Sequence, residues 1–425
     1  MIDLCSDNLL NQNFNAIEVD SFWNTGEQRE HLMHRIHAYP AKFPAFIATK
    51  AIEYAHEQNI MTRRIADIFC GCGTVAFEAK LNGIDFWGCD INPVAILIAR
   101  VKSKGTYQVP RLKRYFEQII TTFSTITDNM IMPYEKANER LVYWYDERHY
   151  NELAKLKIAI EKETPEQSDY RLFFYCGFSN ILKATSRWLT KSIKPQLDPK
   201  KQIPDTIEVF RHQIVAMTAA CESIPSVNFG TTNVVQMNFL DKGKRVPKVD
   251  IIVTSPPYVT SYEYADLHQL SSLWLGYAED YKTLRKGSIG SLTQDFQFKK
   301  KLRWLNRTGK HIVEELMEKI PENARDIAKY FLDMQHVAKR AYKMLNDSGL
   351  AVFVIGNTEY KGVLVDNAKH LAESLFDAGF SEVSVTKRKI SKKNLTPYRD
   401  EKGHFTSDGH GRKVYSEEFI LIGRK

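Results

Sequence analysis

The alternation of apolar and polar positions divides the chain into strands and helices before any chemistry is considered. A short apolar run at 64–69, RIADIF, reads as a buried strand. The turn CGCGT follows it. TVAFEAKL then repeats at helical spacing as far as Gly83, a residue suited to ending a helix. Residues 85–90, DFWGCD, read as a second strand. Asn92-Pro93 supplies an N-cap and a first-turn proline for the next helix. This strand–helix–strand–helix succession opens a doubly wound parallel sheet.

The pattern then breaks. Residues 106–225 are amphipathic and helical in character, with few strand signals. Strands resume at 233–237 (NVVQM) and 249–255 (VDIIVTS), the second running into Pro256-Pro257-Tyr258. A second interruption covers 259–324. Beyond it come a long amphipathic helix at 324–345, an NDSG turn and a strand at 350–356. A helix at 366–378, closed by Gly379, precedes two final strands at 382–388 and 418–423. Seven strands with interleaved helices predict an α/β fold, a Rossmann-like sheet carrying two largely helical insertions. The predicted units are 1–105, 106–225, 226–258, 259–324 and 325–425. No internal repeat or low-complexity segment interrupts them.

Composition narrows the class without naming it. With 425 residues, 43% hydrophobic and 26% charged, the chain is globular, not disordered, collagenous or a small disulfide scaffold. Lys and Arg number 59 against 51 Asp and Glu, a net charge of +8. That mild excess suits a polyanionic partner without requiring one. Cys70 and Cys72 are the only close pair among six cysteines, and no second pair or histidine cluster completes a metal site. Reduced thiols, a start lacking a signal peptide and the absence of a long apolar run predict a cytoplasmic protein with no membrane span.

Two motifs carry the chemistry. In the first, Asp67-Ile-Phe69-Cys-Gly71-Cys-Gly73-Thr74, two glycines between strand and helix let backbone amides approach a ligand. A lone GxG is as readily a tight turn with no ligand. Asp90 shifts the balance, because a carboxylate ending the next strand can accept from both hydroxyls of a ribose. Ala76 stands where a dinucleotide fingerprint allows Gly or Ala, so the turn alone also fits NAD. The second motif, Thr254-Ser255-Pro256-Pro257-Tyr258, follows an apolar strand. Its prolines fix the backbone and remove two N–H groups, leaving the preceding carbonyl rigidly exposed at the sheet's carboxyl end. Carbonyl, Ser255 hydroxyl and Tyr258 ring together can hold a planar base by its exocyclic amino group.

With both motifs in one chain, the sequence resembles the S-adenosylmethionine-dependent amino-methyltransferases of DNA, of the TSPPY type typical of cytosine-N4 enzymes. A third segment, His37-Ala-Tyr39-Pro40-Ala41-Lys42-Phe43-Pro44, is similar to the family's segment lining the methionine end of the cofactor. The resemblance covers 35–105, 230–278 and 325–425. It implies a seven-stranded methyltransferase sheet whose cofactor half lies within 1–105 and whose C-terminal half is 325–425. It implies that Pro40, Lys42, Pro44, Asp67, Phe69, Gly71, Gly73, Thr74, Asp90 and Thr254 border S-adenosylmethionine. Ser255, Pro256, Pro257 and Tyr258 would hold and activate the target base. Asn238 stands where the family has an acidic residue at the adenine amino group, and its amide oxygen can still accept.

The reaction so implied is methyl transfer to N4 of a flipped cytosine in double-stranded DNA, in restriction-modification beside a cognate endonuclease. Adenine N6, an RNA substrate and a non-catalytic binder that keeps the fold are the alternatives. Cytosine-C5 chemistry is disfavoured, because it uses a cysteine after proline and none of the six cysteines follows one. No metal is required. Recognition is expected from the insertions. Residues 106–225 combine Tyr143, Trp144, Tyr145, Arg148, Arg187, Trp188, Lys191 and Lys194, and read as a target-recognition domain. Residues 259–324 read as a basic DNA clamp, with Lys299, Lys300, Lys301, Arg303 and Arg307 grouped around Trp304. A solvated helical face explains any one such run equally well. Tyr262, Tyr264, His268 and Trp274 read either as walls of the base pocket or as core, and the basic stretch 387–413 as a further backbone contact.

Overall fold

Eight strands make the central sheet: β1 (Ile2–Leu4), β2 (Arg64–Asp67), β3 (Asp85–Asp90), β4 (Thr232–Gln236), β5 (Val249–Thr254), β6 (Leu345–Ile355), β7 (Glu382–Lys389) and β8 (Glu417–Arg424). They lie in the order β1-β7-β8-β6-β5-β2-β3-β4. The computed structural model describes all residues except 27–28, 227, 260–262, 292–296, 361, 391–397, 400–404, 407–411 and 414–415. Strands β4, β3, β2, β5 and β6 run parallel, while β8 is antiparallel to both its neighbours, β6 and β7. This is the Rossmann-like sheet expected from the sequence, with one addition. β1 adds an antiparallel edge strand against β7, and three residues are too short a run to betray it.

Both faces of the parallel strands are covered, as their near-continuous apolar sequences require. Helices α1 (Ala45–Glu57), α2 (Thr74–Leu81) and α3 (Pro93–Lys104) cover one face, onto which Ile65, Ile251, Val253, Val352 and Ile420 point. Residues of alternate register, among them Ala66, Ile252, Ala351, Phe353 and Leu421, point to the other face. The first insertion forms α4 (Val109–Thr125), α5 (Glu139–Trp144), α6 (Glu147–Glu163), α7 (Asp169–Ile181) and α8 (Thr206–Glu222). The second forms α9 (Tyr264–Leu267), α10 (Gln269–Trp274), α11 (Phe298–Lys301) and α12 (Arg307–Lys319). α12, with α13 (Pro321–Met344) and α14 (Asn367–Ala378), lies over the second face.

Local signals account for the boundaries. Asn92 caps α3 by accepting from the Val94 and Ala95 N–H groups, with Pro93 in the first turn. Gly379 ends α14 at φ 107°, a backbone state that glycine adopts without strain. The NDSG turn lies inside β6 rather than before it. Val249 pairs with Leu345 and Ile251 with Leu350, so 346–349 loop out of the ladder with Ser348 at φ 61°. Among the described residues no helix is long and apolar enough to cross a membrane.

The first insertion is not a separate body. Its core runs through α4 to α8 into Val94, Leu97, Ile98 and Val101 of α3, and takes in Leu270 and Trp274 of α10. This corrects the reading of Trp144, Tyr145 and Trp188 as a nucleic-acid surface, while Tyr143, Arg148, Lys191 and Lys194 are exposed. Trp144, Tyr145 and Trp188 are all buried, and the two indoles stack at 4.9 Å. Arg187 turns inward and donates to the carbonyls of Val142, Tyr143 and Tyr145. Arg148 pairs with Glu152 and Asp205. Composition alone does not say which side of a helix an aromatic residue faces.

Candidate active site

Strand order reverses between β2 and β5, since the chain goes from β2 to β3 and β4 on one side before crossing to β5 and β6 on the other. A crevice opens at the carboxyl ends of the strands at such a point. The loops leaving β2 and β5 are the two motifs, and both strands are in register, with Ile65 beside Ile251 and Ala66 beside Ile252. The Thr254 hydroxyl donates to the Asp67 carboxyl at 2.6 Å and ties the motifs together. Asp67 also accepts from the Phe69 N–H, and burial pushes its acid up to about 7 against those two donors.

Around the first turn, Asp90 is fixed from two sides. It accepts from the Gly71 N–H at 3.0 Å and from the Asn92 N–H at 2.8 Å. It stays partly exposed with lone pairs left over, and burial raises its acid from the ordinary range. The two glycines have different reasons to be there. A Cβ on Gly71 would meet only the Tyr39 ring at 3.5 Å, but one on Gly73 would lie 2.7 Å from the Ala99 Cα. Gly73 therefore brings α3 against the turn; Gly71 turns its N–H to Asp90. Thr74 is buried at the first position of α2. Phe69 meets Phe239 edge to face at 6.5 Å. The Asn238 amide is engaged at both ends, its NH2 on the Gly287 carbonyl and its oxygen on the Leu240 N–H, so one lone pair and one N–H remain for a ligand.

The segment before α1 is brought to the crevice in part. Tyr39 faces Gly71 and packs on Tyr264 (6.0 Å, 18°) and His268 (5.1 Å). Pro40 and Pro44 flank Lys42, with Pro44 capping α1. The Lys42 ammonium donates to Glu30 and to the His34 carbonyl. Trp274 is core, against Tyr145 and Phe178. Tyr262 lies outside the described residues, as does much of 387–413.

His268 supplies a group whose use the sequence did not foretell. The Asn92 carbonyl oxygen is spent capping α3, so its NH2 must be the donor to His268 Nδ1 at 2.8 Å. Burial pulls the imidazole down to about 3, leaving it neutral with its proton on Nε2. That Nε2–H is buried and meets no protein acceptor. A carboxylate with free lone pairs, an unpartnered ring N–H and a glycine turn under an aromatic ring fit a ligand carrying hydroxyls and a hydrogen-bond acceptor.

The second loop is held as firmly. The Ser255 hydroxyl donates to the Val354 carbonyl at 3.0 Å, and the Tyr258 oxygen lies beside it. Either acceptor takes its one proton, so Ser255 offers only lone pairs to the crevice. Pro256 is buried and Pro257 partly so. The Tyr258 hydroxyl donates to Glu418 at 3.1 Å, and burial with that carboxylate raises the phenol well above its ordinary range. Lys299, Lys300 and Lys301 on α11, Arg303 in the 3-10 turn that follows and Arg307 at the start of α12 are all exposed, beside a Trp304 that is 64% exposed. Sequence reasoning missed Glu418, and it read Arg388 only as part of the basic stretch 387–413, whereas Lys387 and Arg388 are buried; a charge at the start of a C-terminal strand, 160 residues from Tyr258, carries no local signal.

No family model matches the chain. It is similar to the Type II methyltransferase M.MvaI of Kocuria varians, 23% identical over 404 residues covering 88% of this chain and 87% of that protein. It is also similar to the Type II methyltransferase M.BsoBI of Geobacillus stearothermophilus, 22% identical over 388 residues, 78% of this chain and 75% of that one. Among solved structures it resembles precorrin-6y C5,15-methyltransferase from Geobacter metallireducens GS-15, with 9% identity, 91% of each chain covered and a TM-score of 0.31. At that score the fold assignment rests on strand order.

Proposed function

We propose that the chain is a DNA methyltransferase that uses S-adenosylmethionine to methylate an exocyclic amine, and that the amine is N4 of a cytosine flipped from a specific short duplex sequence. The reading makes it the modification component of a restriction-modification system. The observation that carries it is the Thr254–Asp67 hydrogen bond, which joins the two motif loops at the switch point of the sheet. Similarity to two Type II methyltransferases over most of the chain supports it.

The cofactor supplies, when bound, an electrophilic methyl group on a sulfonium sulfur. Asp90 accepts from its ribose hydroxyls with the lone pairs that Gly71 and Asn92 leave free. The His268 Nε2–H and the Tyr39 ring face the same ligand. A paired base hides its amino nitrogen, so the base must leave the stack. That nitrogen is a weak nucleophile because its lone pair is delocalised into the ring. Ser255 Oγ and the Pro256 carbonyl accept its N–H groups and pull the nitrogen toward tetrahedral geometry, which localises the lone pair on it, while Tyr258 stacks on the base, worth roughly 1–3 kcal/mol. Catalysis is then positioning and electrostatics. Lys299, Lys300, Lys301, Arg303 and Arg307 track phosphates, and the exposed faces of 106–225 read the target.

Nucleoside mass analysis of duplex DNA treated with enzyme and cofactor tests this directly. N4-methylcytosine is expected. N6-methyladenine instead would overturn the choice of base and leave the amino-methyltransferase intact; methylation of RNA alone, or of nothing, would overturn the DNA reading. Asp90→Ala should raise the cofactor Kd by about tenfold or more, and Tyr258→Ala should lower kcat while leaving that Kd within about twofold. Calorimetric titration against single-turnover rates separates the two.

A further inference from the structure

Tyr258 is anchored by residues outside its own loop. Its hydroxyl donates to Glu418 Oε1 at 3.1 Å. Glu418 Oε2 accepts from Arg388, its direct cross-strand partner on β7. Arg388 is 4% exposed. The edge of the Tyr258 ring lies against the backbone of Gly356, where a Cβ would stand 3.1 Å from Cε2. The ring is thus held at its tip by a carboxylate and along its edge by a strand end, and Pro256 and Pro257 stiffen its loop.

A buried ion pair contributes little stability over an apolar pair of similar size. The Arg388–Glu418 pair therefore calls for a reason other than stability, and its free oxygen points at the one aromatic residue of the loop. We infer that Glu418 is a positioning residue for base methylation: held by Arg388, it fixes the Tyr258 ring in the plane against which the flipped base stacks. The inference rests on the reading of 254–258 as the target-base loop. Tyr258 keeps its ring in contact with the base and spends its hydroxyl on the sheet.

Two variants test it. Tyr258→Phe keeps the ring and removes the anchor's donor. The double variant Arg388→Met with Glu418→Leu removes the acceptor without stranding a buried charge, as Glu418→Ala alone would. For each, base stacking is read without cofactor on duplex DNA carrying 2-aminopurine at the target position, and the single-turnover rate is read on the same duplex with the natural target base. Both variants should lose about tenfold in rate, the scale of one hydrogen bond, with cofactor Kd unchanged. Both should show brighter 2-aminopurine emission, because a loose ring quenches the flipped base less. Combining all three substitutions should add nothing further. An active wild type with both variants at wild-type rate and emission overturns the inference alone. Additive losses overturn it too, since they would mean that Glu418 acts elsewhere. A wild type that methylates no DNA overturns the parent reading, and this inference falls with it.

Discussion

Asp67 shows what a buried acid at a loop junction does to stability. Its pKa in the folded chain is raised to about 7 by burial, against about 3.9 in an unfolded one. Between those values the folded state holds a proton that the unfolded chain has lost. Its contribution is therefore complete below about pH 4 and is lost as pH rises through about 7. Asp67→Asn cannot titrate but keeps the shape. The stability of wild type relative to this variant, from urea unfolding, should fall between pH 4.5 and pH 7.5; a flat difference would mean that the acid is unshifted. Asp67 and Thr254 were both legible in the sequence, but not their contact, because spacing along a chain does not give distance across a sheet. Gly73 was legible as a glycine and misread in its reason, since the crowding that demands it comes from Ala99, a helix away.

At the scale of elements, period and capping residues located α2, α14 and six of seven predicted strands to within a residue or two of their ends, and left α1 and the individual helices of the insertions unplaced. The exception was β6, which begins at Leu345 because the NDSG turn bulges from the ladder instead of preceding it. Charge was legible as charge. Lys299, Lys300 and Lys301 occupy three successive positions of the short α11 and are exposed. Replacing all three with Ala should lower the slope of log Kd for DNA against log salt by up to about 3, close to 0.9 per lost phosphate contact. The methylated sequence should not change, because phosphate contacts do not read bases. A slope unchanged in the triple variant would return α11 to an ordinary solvated face.

For the whole molecule, the insertion and the sheet share one core. Trp188 stacks on Trp144, and Trp144 donates to Gln269, the first residue of α10. Trp188→Ala should cost about 3–5 kcal/mol. Because Leu270 and Trp274 belong to the same cluster as α3, calorimetry should record that loss as a single transition at lower temperature. A separate early transition for the insertion would refute the shared core. The sequence marked 106–225 as an interruption of the sheet pattern, and it is one; pattern alone could not say that its helices dock on α3.

Strand β8 follows both β6 and β7 in the chain, yet is wedged between them. A polypeptide growing on the ribosome therefore exposes an unpaired β6 edge, with Val352, Val354 and their neighbours, until the segment at 417–424 emerges. The same late segment delivers Glu418. A chain that has not yet released that segment thus lacks both its complete sheet and the carboxylate that holds Tyr258.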